Sequence, residues 1–109
     1  MDDVEYRKTV QATLSRIEKA FANVDPDLAE CENTLGALTI IFSDKSRCIL
    51  SAQPSVRQLW LALAAEGTAY HFNFQTSLSE WVDDKGRAVE LYSFLMEYLK
   101  RKTGLFFHF

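Results

Sequence analysis

Positions 20–44 form an acidic segment that contains no lysine or arginine, and it is the part of this sequence best suited to chemistry. The first 32 residues carry eight acidic and four basic side chains, a net charge of −4, and no lysine or arginine occurs from position 20 to position 44. Clustered carboxylates raise the local concentration of cations, and hard metal ions prefer carboxylate oxygen. The segment therefore predicts a cation-binding surface, or alternatively a solvated acidic edge that only aids solubility. Its carboxylates are Asp25, Asp27, Glu30 and Glu32.

A tryptophan among polar residues is the second candidate. Trp60 alternates with two leucines, so the indole and the leucines should lie on opposite faces of a strand. If the leucines face the core, Trp60 shares the open face with Gln58, and the next strand adds His71 and Asn73. An exposed tryptophan is typical of a partner-binding surface. The alternative is that a loop or the C-terminal tail covers it.

The sequence carries no motif of a classical enzyme. His71 and His108 are far apart, and there is no glycine-rich phosphate loop, zinc-protease helix or nucleophile elbow. Cys31 and Cys48 form no CxxC pair and are expected to be reduced thiols. Enzymatic activity is therefore not expected from the motifs alone.

Charge and hydropathy also argue against nucleic acid and membrane as partners. The net charge is −3, and the longest basic run, residues 100–102, ends a predicted helix, where it complements the helix dipole. No window approaches the roughly 18 apolar residues of a membrane span. The N-terminus has neither the apolar core of a signal peptide nor the basic, acid-poor character of a transit peptide.

The elements that must position these residues are two helices around a run of strands. A 3.6-residue apolar period predicts a helix over residues 3–23, with Asp2 as N-cap, and another over residues 87–102, with Gly104 as C-cap. Alternation over residues 36–74 predicts strands with turns at 43–46, 54–55 and 66–68, and residues 80–82 add a short strand. The apolar tail, residues 105–109, should pack against the helices.

This order predicts an α+β two-layer sandwich in one domain spanning residues 1–109. Its antiparallel sheet of five to six strands should carry the N- and C-terminal helices on one face.

Several motifs resemble the frataxin/CyaY family. The run from Gln53 to Ala62, QPSVRQLWLA, resembles the family's signature strand, and the run YHFN at 70–73 resembles the Tyr-His-Phe-Asp that follows it. Trp81 and Gly86 stand where the family has an aromatic residue and a glycine before its second helix. The acidic residues of positions 25–32 fall on the family's acidic ridge. The resemblance covers nearly the whole chain.

The resemblance implies a frataxin-like fold and a role in iron–sulfur cluster assembly. It implies weak binding of iron, Fe²⁺ or Fe³⁺, on the ridge, and an interaction with the cysteine desulfurase and the iron–sulfur scaffold protein whose activity the family modulates. Carried over residue by residue, the metal-binding ridge is Glu18, Asp25, Asp27, Glu30 and Glu32, with Asp2, Asp3 and Glu5 near the helix start. The partner-binding sheet surface is Ser51, Gln53, Gln58, Trp60 and Asn73.

Two other functions stay open on the same resemblance: an iron-independent interaction module of the same pathway, and a ferroxidase or iron-storage protein. The chain departs from the family's pattern at several positions, among them the turn at 66–68, the thinned ridge at Lys19, Ala22 and Asn23, and three positions around the signature strand. Ser51 replaces an asparagine, Ala52 replaces a base, and Ser55 replaces a proline.

A monomer is expected, with iron-driven oligomers as a further state. The expected location is a bacterial cytoplasm, or the mitochondrial matrix if a transit peptide has been removed.

Overall fold

Two helices enclose a run of six strands in chain order. The computed structural model describes all residues, 1–109. Its elements are α1 (Asp3–Lys19), β1 (Ala29–Thr34), β2 (Ala37–Phe42), β3 (Arg47–Gln53), β4 (Gln58–Leu63), β5 (Thr68–Gln75), β6 (Glu80–Asp83) and α2 (Leu91–Thr103). Each strand pairs antiparallel with the next, giving one sheet in the order β1-β2-β3-β4-β5-β6. The predicted α+β sandwich is confirmed, and its antiparallel sheet has six strands where five to six were expected.

The first helix begins where the sequence predicts and ends earlier. Asp2 caps it, its carboxylate accepting a hydrogen bond from the backbone N–H of Glu5 at 2.8 Å. The predicted end at residue 23 is wrong, because α1 stops at Lys19. Residues 20–24 continue as turns with bonds three residues apart, such as Val24 N to Phe21 O at 3.1 Å. Since these turns keep Phe21 in the core, the apolar period extends beyond the helix itself.

Alternation fixes the two faces of the sheet. Every second residue of β2 and β4 is buried, as in the cross-strand row Leu38–Leu50–Leu61. These side chains form one apolar cluster with the buried residues of both helices. Because a one-residue slip would turn every leucine outward, this burial fixes the register. The face that carries Trp60 therefore lies away from the helices.

The second helix begins later than predicted. The expected start at residue 87 is wrong, because α2 begins at Leu91. Ala88 takes a left-handed conformation (φ +57°), and Glu90 caps the helix by accepting bonds from the N–H groups of Tyr92 and Ser93. Gly104 ends the helix in the left-handed conformation (φ +77°), as expected.

The buried Asp83 shapes the connection between β6 and α2. Its carboxylate accepts two hydrogen bonds from the Arg87 guanidinium, at 2.9 and 2.7 Å, and one from the backbone N–H of Lys85 at 3.1 Å. Hydrogen bonds from the Arg87 side chain, foremost, and from the backbone N–H groups of Arg87 and Lys85 lower the pKa of Asp83 to about 2. These hydrogen bonds fix residues 83–87 in a turn, so α2 begins only after them.

The C-terminal tail packs on the helices, as predicted. Phe107 is buried with its ring 4.9 Å from that of Phe21, and the Arg16 guanidinium donates to the carbonyl oxygen of Phe109 at 2.6 Å. Leu105, Phe106 and His108 are the exceptions and are exposed. Neither helix has the length and apolar character that crossing a bilayer requires.

Candidate functional site: an acidic edge beside an open sheet face

Strand β1 forms one border of the sheet and carries carboxylates on its outer side. It pairs with β2 alone, so its other side is an open edge. Ala29 and Cys31 point toward the helices, whereas Glu30 and Glu32 alternate with them and are exposed. Charged side chains on such a strand discourage pairing with another chain. The exposed carboxylates of Glu30 and Glu32 are also accessible to a soluble ligand.

The loop before β1 adds two further carboxylates. Asp25 turns the chain: its carboxylate accepts from the backbone N–H of Asp27 at 2.9 Å, and its carbonyl accepts from the N–H groups of Leu28 and Ala29. Asp27 is exposed and its side chain is free of hydrogen bonds within the protein. Asp25 thus stabilises the turn with one carboxylate oxygen and keeps the other available. Both carboxylate oxygens of Asp27 are available, because its side chain has no such structural role.

Glu18, in the last turns of α1, completes the acidic edge. Its carboxylate accepts a long hydrogen bond, 3.4 Å, from the Asn33 amide across the groove to β1. Burial, followed by the negative charges of Glu18 and Glu32, raises the pKa of the Cys31 thiol to about 12. We call five residues the acidic edge: Glu18, Asp25, Asp27, Glu30 and Glu32. A depression of about 530 Å³ beside β1 is lined by three of them, Glu18, Glu30 and Glu32.

The three carboxylates at the start of α1 lie apart from the acidic edge. Glu5 is 13 residues from Glu18, which is about 20 Å along a helix. Asp2 serves as the N-cap and Asp3 pairs with Arg57 at 3.0 Å. No three carboxylate, thiol or imidazole groups anywhere in the chain converge as a metal cage would require. The metal-binding role of all eight residues remains a prediction.

The open face of the sheet carries an organised group around Trp60. Its ring stacks on that of His71, its cross-strand partner, with centroids 4.1 Å apart and planes 14° apart. Its indole N–H donates to Gln58 Oε1 at 2.8 Å. The Gln58 amide in turn donates to Asn73 at 3.1 Å and to Asp84 at 3.0 Å. We call these five residues the tryptophan cluster.

The other two predicted partner-binding residues adjoin this cluster. Ser51 is the cross-strand partner of Trp60, and Gln53 is that of Gln58, so both share the open face. The Gln53 amide donates to Ser51 Oγ at 3.4 Å. All five predicted residues of the sheet surface therefore lie together, and Trp60 remains partly exposed among them. Their role in binding a partner remains a prediction.

Sequence reasoning left two members of the cluster, Asp84 and His71, out of the predicted partner-binding residues. Asp84 follows β6, and its backbone N–H donates to the carbonyl of His71 at 2.8 Å, which brings its carboxylate 3.9 Å from His71 Nδ1. Only the pairing of β5 with β6 reveals this, since the two residues are 13 positions apart. His71 itself was placed on this face by alternation alone.

Comparison with known proteins agrees with this architecture. A family model described as the frataxin-like domain matches residues 1–105. The chain is a member of the frataxin/CyaY family. Among its relatives, the iron-sulfur cluster assembly protein CyaY of Paraburkholderia xenovorans is 34% identical over 109 residues, covering 100% of this chain and 98% of the relative. CyaY of Pseudomonas aeruginosa is 36% identical over 84 residues, covering 77% of this chain and 75% of the relative.

Solved frataxin structures share the fold. Frataxin from Psychromonas ingrahamii superposes with a TM-score of 0.85 at 20% identity, covering 98% of this chain and 96% of that one. A trimeric frataxin from the yeast Saccharomyces cerevisiae, complexed with ferrous iron, gives a TM-score of 0.65 at 21% identity, covering 94% and 86%. At this identity the likeness establishes the frataxin fold of the present chain.

Proposed function

We propose that this chain binds iron weakly on its acidic edge and serves as an iron donor and regulator in iron–sulfur cluster assembly. Membership of the frataxin/CyaY family supports the pathway, since its relatives are named iron-sulfur cluster assembly proteins. The observation that carries the proposal for this chain is electrostatic. All five carboxylates of the acidic edge are exposed, and none forms an ion pair.

The chemistry of the acidic edge fits a transient load of iron. Its donors are carboxylate oxygens, which suit hard cations, and they lie on an open surface. Because no three of them converge, a bound ion would keep much of its hydration shell and would exchange readily. Such a surface can hold an ion weakly and release it to a partner with better-placed ligands.

The two surfaces suit two partners of the assembly complex. The acidic edge would contact a basic surface of the cysteine desulfurase, because opposite charges steer association. The tryptophan cluster would contact the iron–sulfur scaffold protein through the exposed face of Trp60. Through both contacts the chain would modulate the desulfurase–scaffold complex. We place it in a bacterial cytoplasm, as a monomer that forms oligomers when loaded with iron.

An iron-independent interaction module is the second candidate function. The tryptophan cluster favours it, because stacking and hydrogen bonds hold Trp60 in place without any metal. A ferroxidase or iron store would require ligands that converge on a reacting ion, and the acidic edge brings no such set together. The two leading candidates differ in whether iron changes partner binding.

An anaerobic Fe(II) titration followed by two-dimensional amide NMR tests the iron-binding step. We expect shifts or broadening confined to residues 18–32, because the carboxylates of the acidic edge lie there. Signals from residues 2–5 should stay unchanged, since those acids are engaged or distant. The absence of any change at millimolar iron would reject iron binding and leave the interaction module.

Charge reversal tests the partner step. The variant Glu30→Lys/Glu32→Lys should weaken desulfurase binding, and an effect seen only with iron would favour the iron-dependent candidate. Glu80→Lys/Glu97→Lys is the matched control, because it makes the same charge change at exposed positions free of ion pairs. Unchanged binding by the first variant, or an equal loss in the control, would contradict both candidates.

A further inference from the structure

A second concave surface lies on the other side of α1 from the tail, away from the open face. It is a groove of about 510 Å³ between α1 and the tip of the β1–β2 hairpin. Tyr6, Val10 and Leu14 are buried along α1 and form part of its apolar lining, and Ala52 of β3 adds to it. Its volume lies in the range of pockets that bind ligands.

A strained and exposed leucine stands at the lip of this groove. Leu35 and Gly36 form the two-residue loop of the β1–β2 hairpin, both with positive φ, +39° and +82°. Such loops favour asparagine or glycine at the first position, because a side chain in the left-handed region is strained. The Leu35 side chain is 102% exposed, so no contact within the fold compensates for that strain. An outlier of this kind points to a role outside the fold.

Opposite charges mark the two ends of the groove. Arg7 and Glu18 both line it, both are exposed, and neither forms an ion pair. They are 11 residues apart on α1, or about 16 Å. Between them, Gln11 and Ser15 offer hydrogen-bonding groups along the rim. The groove thus has a positive end at Arg7, an apolar middle bordered by the exposed Leu35 side chain, and a negative end at Glu18.

We propose that this groove binds an extended segment of a partner protein in which an apolar residue is flanked, two positions away on each side, by one basic and one acidic residue. In an extended chain these three side chains point the same way, and the outer two are about 13 Å apart. The long side chains of Arg7 and Glu18 span the remaining distance. The acidic residue lies at Arg7, the basic residue at Glu18, and the apolar residue beneath Leu35.

This site is separate from the proposed iron function. Only Glu18 belongs to both surfaces, whereas Arg7, Gln11 and Leu35 lie outside the acidic edge. The test therefore uses Leu35 and Arg7, whose replacement leaves all five carboxylates of the acidic edge in place. Failure of the groove proposal would leave iron and desulfurase binding unaffected, and the reverse also holds.

The probe is the blocked peptide acetyl-Lys-Ala-Leu-Ala-Glu-amide, together with its reversed sequence, because either chain direction satisfies the three contacts. Titration is followed by amide NMR of the full chain. At least one direction should give saturable shifts near Arg7, Gln11 and Leu35, with a dissociation constant on the order of 1 mM. A peptide of the same composition in the order Ala-Lys-Glu-Ala-Leu is the control and should not bind.

Two variants assign the contacts. Leu35→Asn should weaken peptide binding at least about fivefold, because it removes the apolar lip, while it suits the turn and keeps the fold. Arg7→Glu should abolish binding of the original peptide and accept one with lysine at both ends. The proposal is overturned if no peptide gives a saturable shift at about 10 mM, if the control binds equally, or if Leu35→Asn binds as well as the natural chain.

Discussion

Replacing each of the two tryptophans by alanine separates a functional surface from the core. Trp60 is half-buried on the open face, and its ring stacks on His71 while its N–H donates to Gln58. Trp81 is 2% exposed, and its N–H donates to Thr13 Oγ1 at 2.9 Å inside the core. The residues are of one type, so their different surroundings alone set the difference in stability.

The magnitudes follow from these contacts. For Trp60→Ala the lost stacking contributes about 0.5–1.5 kcal/mol, and the surface hydrogen bond contributes about 0.5–1 kcal/mol. The free energy of unfolding should therefore fall by about 1–2 kcal/mol, a drop in Tm of about 5–15 °C for a chain of this size. Trp81→Ala leaves a large cavity and should cost about 3–5 kcal/mol.

The assay is urea unfolding followed by far-UV circular dichroism, since removing a tryptophan changes the fluorescence. The dependence of the unfolding free energy on urea should be the same for Trp60→Ala and the natural chain. A loss of 3 kcal/mol or more, by the estimate for core aromatics, would show that Trp60 belongs to the core and would refute the assigned register. A loss below about 2 kcal/mol for Trp81→Ala would refute it equally.

Partner binding supplies the second measurement on the same variant. Trp60→Ala should weaken binding of the iron–sulfur scaffold protein at least about tenfold, because a partly exposed aromatic anchor dominates such surfaces. Gln75→Ala, an exposed change elsewhere on β5, is the control and should bind normally. Unchanged scaffold binding by Trp60→Ala would reject the tryptophan cluster as the contact surface.

Two further predictions concern titratable groups. Asp83→Asn should lower the free energy of unfolding at pH 7 by about 2 kcal/mol, because it breaks a buried, charge-assisted network. Since the pKa of Asp83 is lowered from about 3.9 in the unfolded chain to about 2 in the folded chain, its contribution is complete above about pH 5, fades as the pH falls through 2, and is lost near pH 1, where urea unfolding should distinguish the variant least. Burial, foremost, raises the pKa of both Cys31 and Cys48 to about 12, so very little of either thiol is ionised at pH 8. Both should react with an aromatic disulfide reagent far more slowly than free cysteine, and rapid reaction in the native chain would contradict their placement.

The start of α1, the end of α2 and the two faces of the sheet could be predicted from local sequence patterns, and the structure confirms these predictions. Asp2 and Gly104 mark helix ends because capping depends on neighbouring backbone groups. The alternation around Trp60 assigned it to the open face, because successive side chains of a strand must point to opposite faces. These features involve residues within a few positions of one another, and for that reason the sequence by itself determines them.

Tertiary structure decided the features that depend on distant residues. The start of α2 depends on the network that Arg87 makes with Asp83 and on the cap from Glu90, and neither is visible in an apolar period. Strand pairing brings Asp84 to His71, and packing of α1 beside the β1–β2 hairpin creates the groove. Types and spacing along the chain select the elements. Only the contacts between elements determine which charges and apolar groups share a surface, because residues far apart in the chain meet only when the core packs.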